Sequence, residues 1–229
     1  MKTFGDASRF GLAYERGPLA ERGGRTSPYL ASEGLLQLWA GGINLCELDQ
    51  DPPEPYSSDW RGALADHLFP YVEWLVGHFK AFFQEAPFPL PLHADSAADF
   101  YRKAFNHLQA APDHEAEEVS KILFDWFQTR CLAAGTDGGF PPEVFFRGLG
   151  SEIEISWESS KVRPYQGRCG YKNVRGRCVV SRTVFHPALY GFVRSFLQEL
   201  EGRHPALRND TGLLRTIGRA DSIPALLPR

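Results

Sequence analysis

The chain has 229 residues, 43% hydrophobic and 23% charged, which fits one large domain or two small ones with a substantial core. A net charge of −3 gives no overall preference for nucleic acid or for an acidic membrane. No stretch approaches the roughly 20 apolar residues that span a bilayer, and the N-terminal MKTFGDASRFGLAYERG has no apolar signal-peptide core.

Residues 1–28 are rich in Gly and Arg without a clear period, and read as a flexible N-terminal arm with a short ordered piece near Phe10–Tyr14. Residues 29–229 read as a single α+β domain, with a hairpin and helices to 112, a helix, strands and a helix from 113 to 201, and a tail from 202 to 229. Leu35–Trp39 and Ile43–Cys46 flank Gly41-Gly42, the signature of a β-hairpin. The Pro-broken segment Asp51–Pro55 is a loop.

Leu64, Leu68, Tyr71, Val72, Leu75, Val76, Phe79, Phe82 and Phe83 recur at helical steps, with Pro70 either kinking the helix or starting a new one. A second amphipathic helix carries Phe100, Tyr101, Ala104, Phe105 and Leu108. A third follows Pro112, with Asp113 as its expected N-cap, and runs through Val119, Ile122, Leu123, Trp126, Phe127 and Ala134 to the stop at Gly135–Gly139.

The period then changes to two. Val144–Phe146 and Ile153–Trp157 are strand-like around a turn at Gly148–Ser151, and Arg177–Val180 is a further strand. Pro187 opens a last helix over Leu189, Phe192, Val193, Phe196, Leu197 and Leu200, and the tail packs through Leu213, Leu214 and Ile217 or frays. Segregated strands and helices predict an α+β fold: a small antiparallel sheet covered on one face by amphipathic helices, with Trp39, Trp74, Trp126 and Trp157 meeting in the core.

No zinc-peptidase, nucleophile-elbow, P-loop or dinucleotide motif is present, so no catalytic residue, metal or cofactor is assigned and the enzyme reading is the weaker one. His114-Glu115 lacks the second His of H-E-x-x-H and reads as an acidic first helical turn. Cys169 and Cys178 are too far apart for a C-x-x-C zinc knuckle, and a cytoplasmic, reducing location predicts free thiols. Arg147, Glu152, Glu154 and Ser156 are the candidate polar groups for an unfamiliar enzyme; alternation puts the last three on one strand face, read as an ordinary solvent-facing side.

Charge is unevenly distributed. From Glu158 to Arg182, seven cations (Lys161, Arg163, Arg168, Lys172, Arg175, Arg177 and Arg182) face one acid, a net +6 that leaves −9 on the remainder. With Tyr165 and Tyr171 interleaved, this hairpin is a candidate surface for a protein partner or, alternatively, for nucleic acid. A third reading is an edge guarded by charge against aggregation.

Three blocks carry a family resemblance: GLLQLWAGGINLCELD, FPYVEWLVGHFKAFFQE and DWFQTRCLAAGTDGGFPPEVFFRGLGSEIEISW. Trp39, the Gly42–Cys46 turn, Glu73-Trp74-Leu75, Trp126, the Gly138–Pro141 turn, Arg147 and Ile155–Trp157 are the shared pieces. Over roughly residues 30–200 the chain resembles the N-terminal, non-peptidase region of long bacterial ImmA/IrrE-type metallopeptidase proteins. It departs from them in lacking a zinc-bearing half and in having Cys131 where the pattern leads to His. The resemblance implies a non-enzymatic regulatory or interaction module in a stress-response, toxin–antitoxin or phage-defence setting, and carries over no catalytic residue.

Overall fold

The structure, a computed structural model, describes residues 1–17, 27–49, 62–136, 141–159 and 170–223. Its first sheet begins inside the expected arm. β1 (Lys2–Asp6) and β2 (Phe10–Arg16) form an antiparallel hairpin, so residues 2–16 are a structural element and not a loose arm. Asp6 Oδ1 accepts from the Ser8 amide at 2.8 Å and closes the turn. The cause of order is alternation: Phe10, Leu12 and Tyr14 all face inward and are buried.

β3 (Glu33–Ala40) pairs with β2 and sets Leu36, Leu38 and Ala40 opposite Tyr14, Leu12 and Phe10. Its hairpin partner is β4 (Ile43–Asn44), across the predicted Gly41-Gly42 turn. Both glycines have positive φ, +60° and +82°, the pair of values that a tight hairpin turn needs and that side chains resist. β5 (Leu64–His67) pairs with the first half of β3, so Leu64 belongs to a strand and the helix starts after it. The loop expected at Asp51–Pro55 lies outside the described residues.

α1 (Leu68–Phe83) carries the long apolar face, and Pro70 sits in its first turn, where a missing N–H costs nothing. Two arginines close its other end: Arg130 Nη1 donates to Ala81 O and Arg182 Nη2 to Phe83 O, each at 2.6 Å. α2 (Ala97–Ala110) is capped by Ser96, whose hydroxyl accepts from the Asp99 amide at 3.1 Å. α3 (Asp113–Arg130) has Pro112 at the cap position, so Asp113 is its first residue and not its cap.

The second sheet is β6 (Val144–Leu149), β7 (Glu152–Glu158) and β8 (Arg175–Ser181), antiparallel in that order. The predicted strands therefore divide between two sheets. β8 runs directly into α4 (Arg182–Arg203), which begins earlier than Pro187; that proline lies inside the helix. α5 (Thr211–Ser222) orders the tail, capped by Asp210 and buried through Leu213, while Leu214 is exposed.

Helices α1 and α4 cover the inner face of the first sheet and one face of the second. The other face of the second sheet lies under α2 and α3, where Phe100, Trp126 and Phe145 build a smaller core. Trp74 and Trp157 sit in the main core and Trp126 in the smaller one. Trp39 is on the outer face of β3 and partly exposed, because it is out of phase with Leu38. The four tryptophans do not meet.

The first hairpin and α4 are joined by a polar network. Tyr14 donates to Glu199 Oε2 at 2.9 Å, and the Lys2 ammonium reaches the same oxygen. Burial opposes ionisation of Glu199, but hydrogen bonds from Lys2 and Tyr14 and the charge of Arg203 outweigh it and bring its pKa below the ordinary carboxylate value. A lowered folded-state pKa stabilises the fold above the unfolded value, and this contribution is lost as pH falls through the folded one. The gap in urea midpoint between wild type and Glu199→Gln should therefore close as pH falls below the ordinary carboxylate value. A constant gap would show that the carboxylate charge is irrelevant.

Candidate functional site

Strand alternation gives β7 two unlike faces. Ile153, Ile155 and Trp157 point into the main core, and Glu154, Ser156 and Glu158 point the other way. The polar face is not an outer one: Glu154 and Ser156 are each 0% exposed and Glu158 1%. Only Glu152, at the strand end, is exposed. The N-terminus of α2 covers the other three.

A buried carboxylate is tolerated only with a full set of partners. Glu154 has them. Its Oε1 accepts from the Ala97 amide at 2.6 Å and from Ser156 Oγ at 3.1 Å; its Oε2 accepts from Arg147 Nη2 at 2.6 Å. Arg177 Nε lies 3.5 Å from the same oxygen. The anion also sits at the positive end of the α2 dipole. Ser156 Oγ in turn accepts from the Ala98 amide at 3.1 Å, and the Arg147 guanidinium lies 4.3 Å from the centre of the Phe88 ring. Arg147, Glu154 and Ser156, the expected enzyme candidates, do converge. They converge in a sealed joint, where the seryl oxygen has both its donor and acceptor roles filled and no open face.

The basic stretch has two fates. Lys161, Arg163, Arg168 and Tyr165 lie outside the described residues. Among the described ones, Lys172 pairs with Glu47 at 2.7 Å, and Arg175 Nε donates to Glu158 Oε2 at 2.6 Å. Arg182 turns inward to the end of α1 and over the Phe83 ring, so it is no surface contact. Tyr171 is buried, and burial pushes its hydroxyl pKa well up. It is a core residue and offers no face for stacking on a base.

What remains outward is the edge of the sheet. Among the described residues β8 has a strand neighbour only on its β7 side. Arg175 and Arg177 are held by their Nε atoms against buried carboxylates, yet their side chains are 61% and 45% exposed. Arg175 is thus hydrogen-bonded and Arg177 ion-paired through Nε, while much of each side chain stays exposed. Val174 and Val179 are exposed beside them. In the β7–β8 register Glu158 stands opposite Arg175 and Glu154 opposite Val179, with Arg177 between.

A concavity of about 580 Å³ opens between α1 and α5, with Tyr29, Trp74, His78 and Arg219 in its walls. Its acids are engaged, Glu73 with Arg215 at 2.8 Å and Asp210 as the α5 cap. Among the described residues no group of His, Cys, Asp and Glu is placed to hold a metal ion, and no helix is long and apolar enough to cross a membrane.

Cys46 is fully buried and burial pushes its thiol pKa up to about 12; Cys131 is buried and pushed well up by the same cause. Cys178 is partly exposed, with Sγ 3.9 Å from Arg9 O. Brief alkylation of the folded protein, read by peptide mass spectrometry, should modify Cys178 and spare Cys46 and Cys131. Equal labelling of all three would contradict this packing.

No protein-family model and no curated protein matches the chain. Among solved structures it is similar to the crystal structure of CdiI from Burkholderia dolosa AUO158, with a TM-score of 0.47 and 10% identity over 85% of this chain and 99% of that one.

Proposed function

We propose that this chain is a non-enzymatic protein-interaction module whose partner surface is the basic edge around β8. Lys161, Arg163, Arg168, Lys172, Arg175 and Arg177 are its contact residues. The resemblance to a non-peptidase region supports a regulatory role in a bacterial stress-response, toxin–antitoxin or phage-defence system.

The observation that carries this reading is the fixed pair Arg175 and Arg177. Both meet buried carboxylates from behind, Arg175 through a 2.6 Å hydrogen bond and Arg177 through a looser 3.5 Å ion pair, so part of their side-chain entropy is already spent before an anionic group docks. The exposed valines beside them suit a protein surface better than a phosphate backbone. Nucleic acid is the less favoured ligand, because the rest of the chain carries −9 and repels a long polyanion.

Affinity capture from the native host tests it, with the wild-type chain and the triple variant Arg168→Ala, Lys172→Ala, Arg175→Ala compared after both are shown to melt cooperatively. A discrete protein retained by the wild type, weakened by salt and reduced roughly fivefold or more by the triple variant, is the expected result. Equal retention by both chains, or retention of nucleic acid alone, would overturn the reading.

A further inference from the structure

Resting on that partner surface, we infer a binding mode: the partner contributes an extended acidic segment that pairs with β8 as a fourth strand of the second sheet. The backbone phase of β8 supports this. Ser159 donates to Val174 O at 2.7 Å and Arg182 to Ser151 O at 3.0 Å, which fixes Val174 and Arg182 as residues that bond toward β7. In an antiparallel pair such residues alternate. Gly176, Cys178 and Val180, opposite Trp157, Ile155 and Ile153, therefore bond inward.

Arg175, Arg177 and Val179 are the intervening residues. Their backbone N–H and C=O groups point away from β7, and among the described residues none of these groups has a backbone partner. An edge of this kind is a ready template for another strand.

Side chains set the chemistry of that strand. Arg175 and Arg177 share one face of the sheet, two positions and thus roughly 6.5 to 7 Å apart. Opposite charges directly across neighbouring strands attract and like charges repel. The matching segment therefore carries carboxylates at alternate positions, aligned with the two guanidinium forks. A guanidinium held at Nε keeps its two Nη donors free for a carboxylate in bidentate geometry.

A second copy of this chain is the wrong occupant. Antiparallel self-pairing centred on Arg177 places Arg177 against Arg177 and Arg175 against Val179, with four cations and no acid between the two edge strands. The same cations that admit an acidic strand repel this one.

The probe is a capped nonapeptide of alternating Glu and Val, added at millimolar concentration to the ¹⁵N-labelled full chain. The expected result is amide shifts concentrated at Arg175, Arg177 and Val179 that fade with salt. A Lys-for-Glu peptide should give none. Val179→Pro removes an outward N–H while leaving the β7 ladder intact, and should weaken the peptide roughly tenfold or more. A peptide N-methylated at alternate residues tests the same point on the wild-type chain, whatever the proline does to folding. Unmoved edge amides, equal binding of the N-methylated or Lys peptide, or stronger shifts from a single-stranded oligonucleotide would each overturn strand addition. Cation-dependent capture from lysate without any edge response to the peptide removes this inference and leaves the partner surface standing. Edge binding of the peptide with cation-independent capture does the reverse.

Discussion

Glu154→Ala is expected to cost on the order of 3–5 kcal/mol of folding stability, read as a fall in the urea midpoint at unchanged m-value. Deleting the carboxylate strips the partner from Arg147, whose side chain is only 12% exposed, and from the Ala97 amide and Ser156 hydroxyl. Each is then a buried polar group without its acceptor, and that loss, more than the attraction itself, sets the size of the effect. Glu154→Gln separates the two contributions. The amide oxygen keeps the bonds from Ala97 and Ser156, while the charge facing Arg147 and Arg177 is gone, so the loss should be smaller than for alanine. A cost below about 1 kcal/mol for Glu154→Ala would show that α2 does not depend on this joint.

Phe185→Ala is the second large effect, about 3–5 kcal/mol. The ring is 0% exposed and lies where three layers meet. It is 4.6 Å from Phe10 of the first sheet, 5.9 Å from Phe83 at the end of α1 and 5.6 Å from Phe146 of the second sheet, centre to centre. These neighbours belong to different elements that cannot all move inward, so truncation leaves a cavity instead of a collapsed contact. Phe124→Ala is the control, since that ring is 61% exposed on α3 and should cost little. Comparable losses in the two variants would refute this picture of the core.

The helices were legible because their apolar residues repeat at helical steps, and the hairpins because Gly41-Gly42 and Gly150-Ser151 mark turns between alternating runs. Misreadings have separate causes. The N-terminal hairpin was hidden by Gly and Arg, although Phe10, Leu12 and Tyr14 already alternate. Pro187 looked like a helix start, yet the strand-to-helix junction at Ser181 allowed α4 to begin a turn and more earlier. The polar face of β7 shows the limit of pattern. Alternation says which side chains share a face, and Glu154, Ser156 and Glu158 do. Whether that face meets water depends on α2, some 57 residues away at the Ala97–Glu154 bond, which no local period encodes. The basic edge was legible as charge, but its anchoring from behind was not.

The joining of β1 and β2 to α4 has a consequence during synthesis. Lys2 and Glu199, 197 residues apart, belong to one contact network, and Phe4 and Tyr14 pack on Phe192. At ribosomal rates of about 5–20 residues per second, the apolar side of the first hairpin waits roughly 10 to 40 s for the helix that covers it. Throughout that interval Phe4, Phe10, Leu12 and Tyr14 lack α4, the helix that covers them in the finished fold.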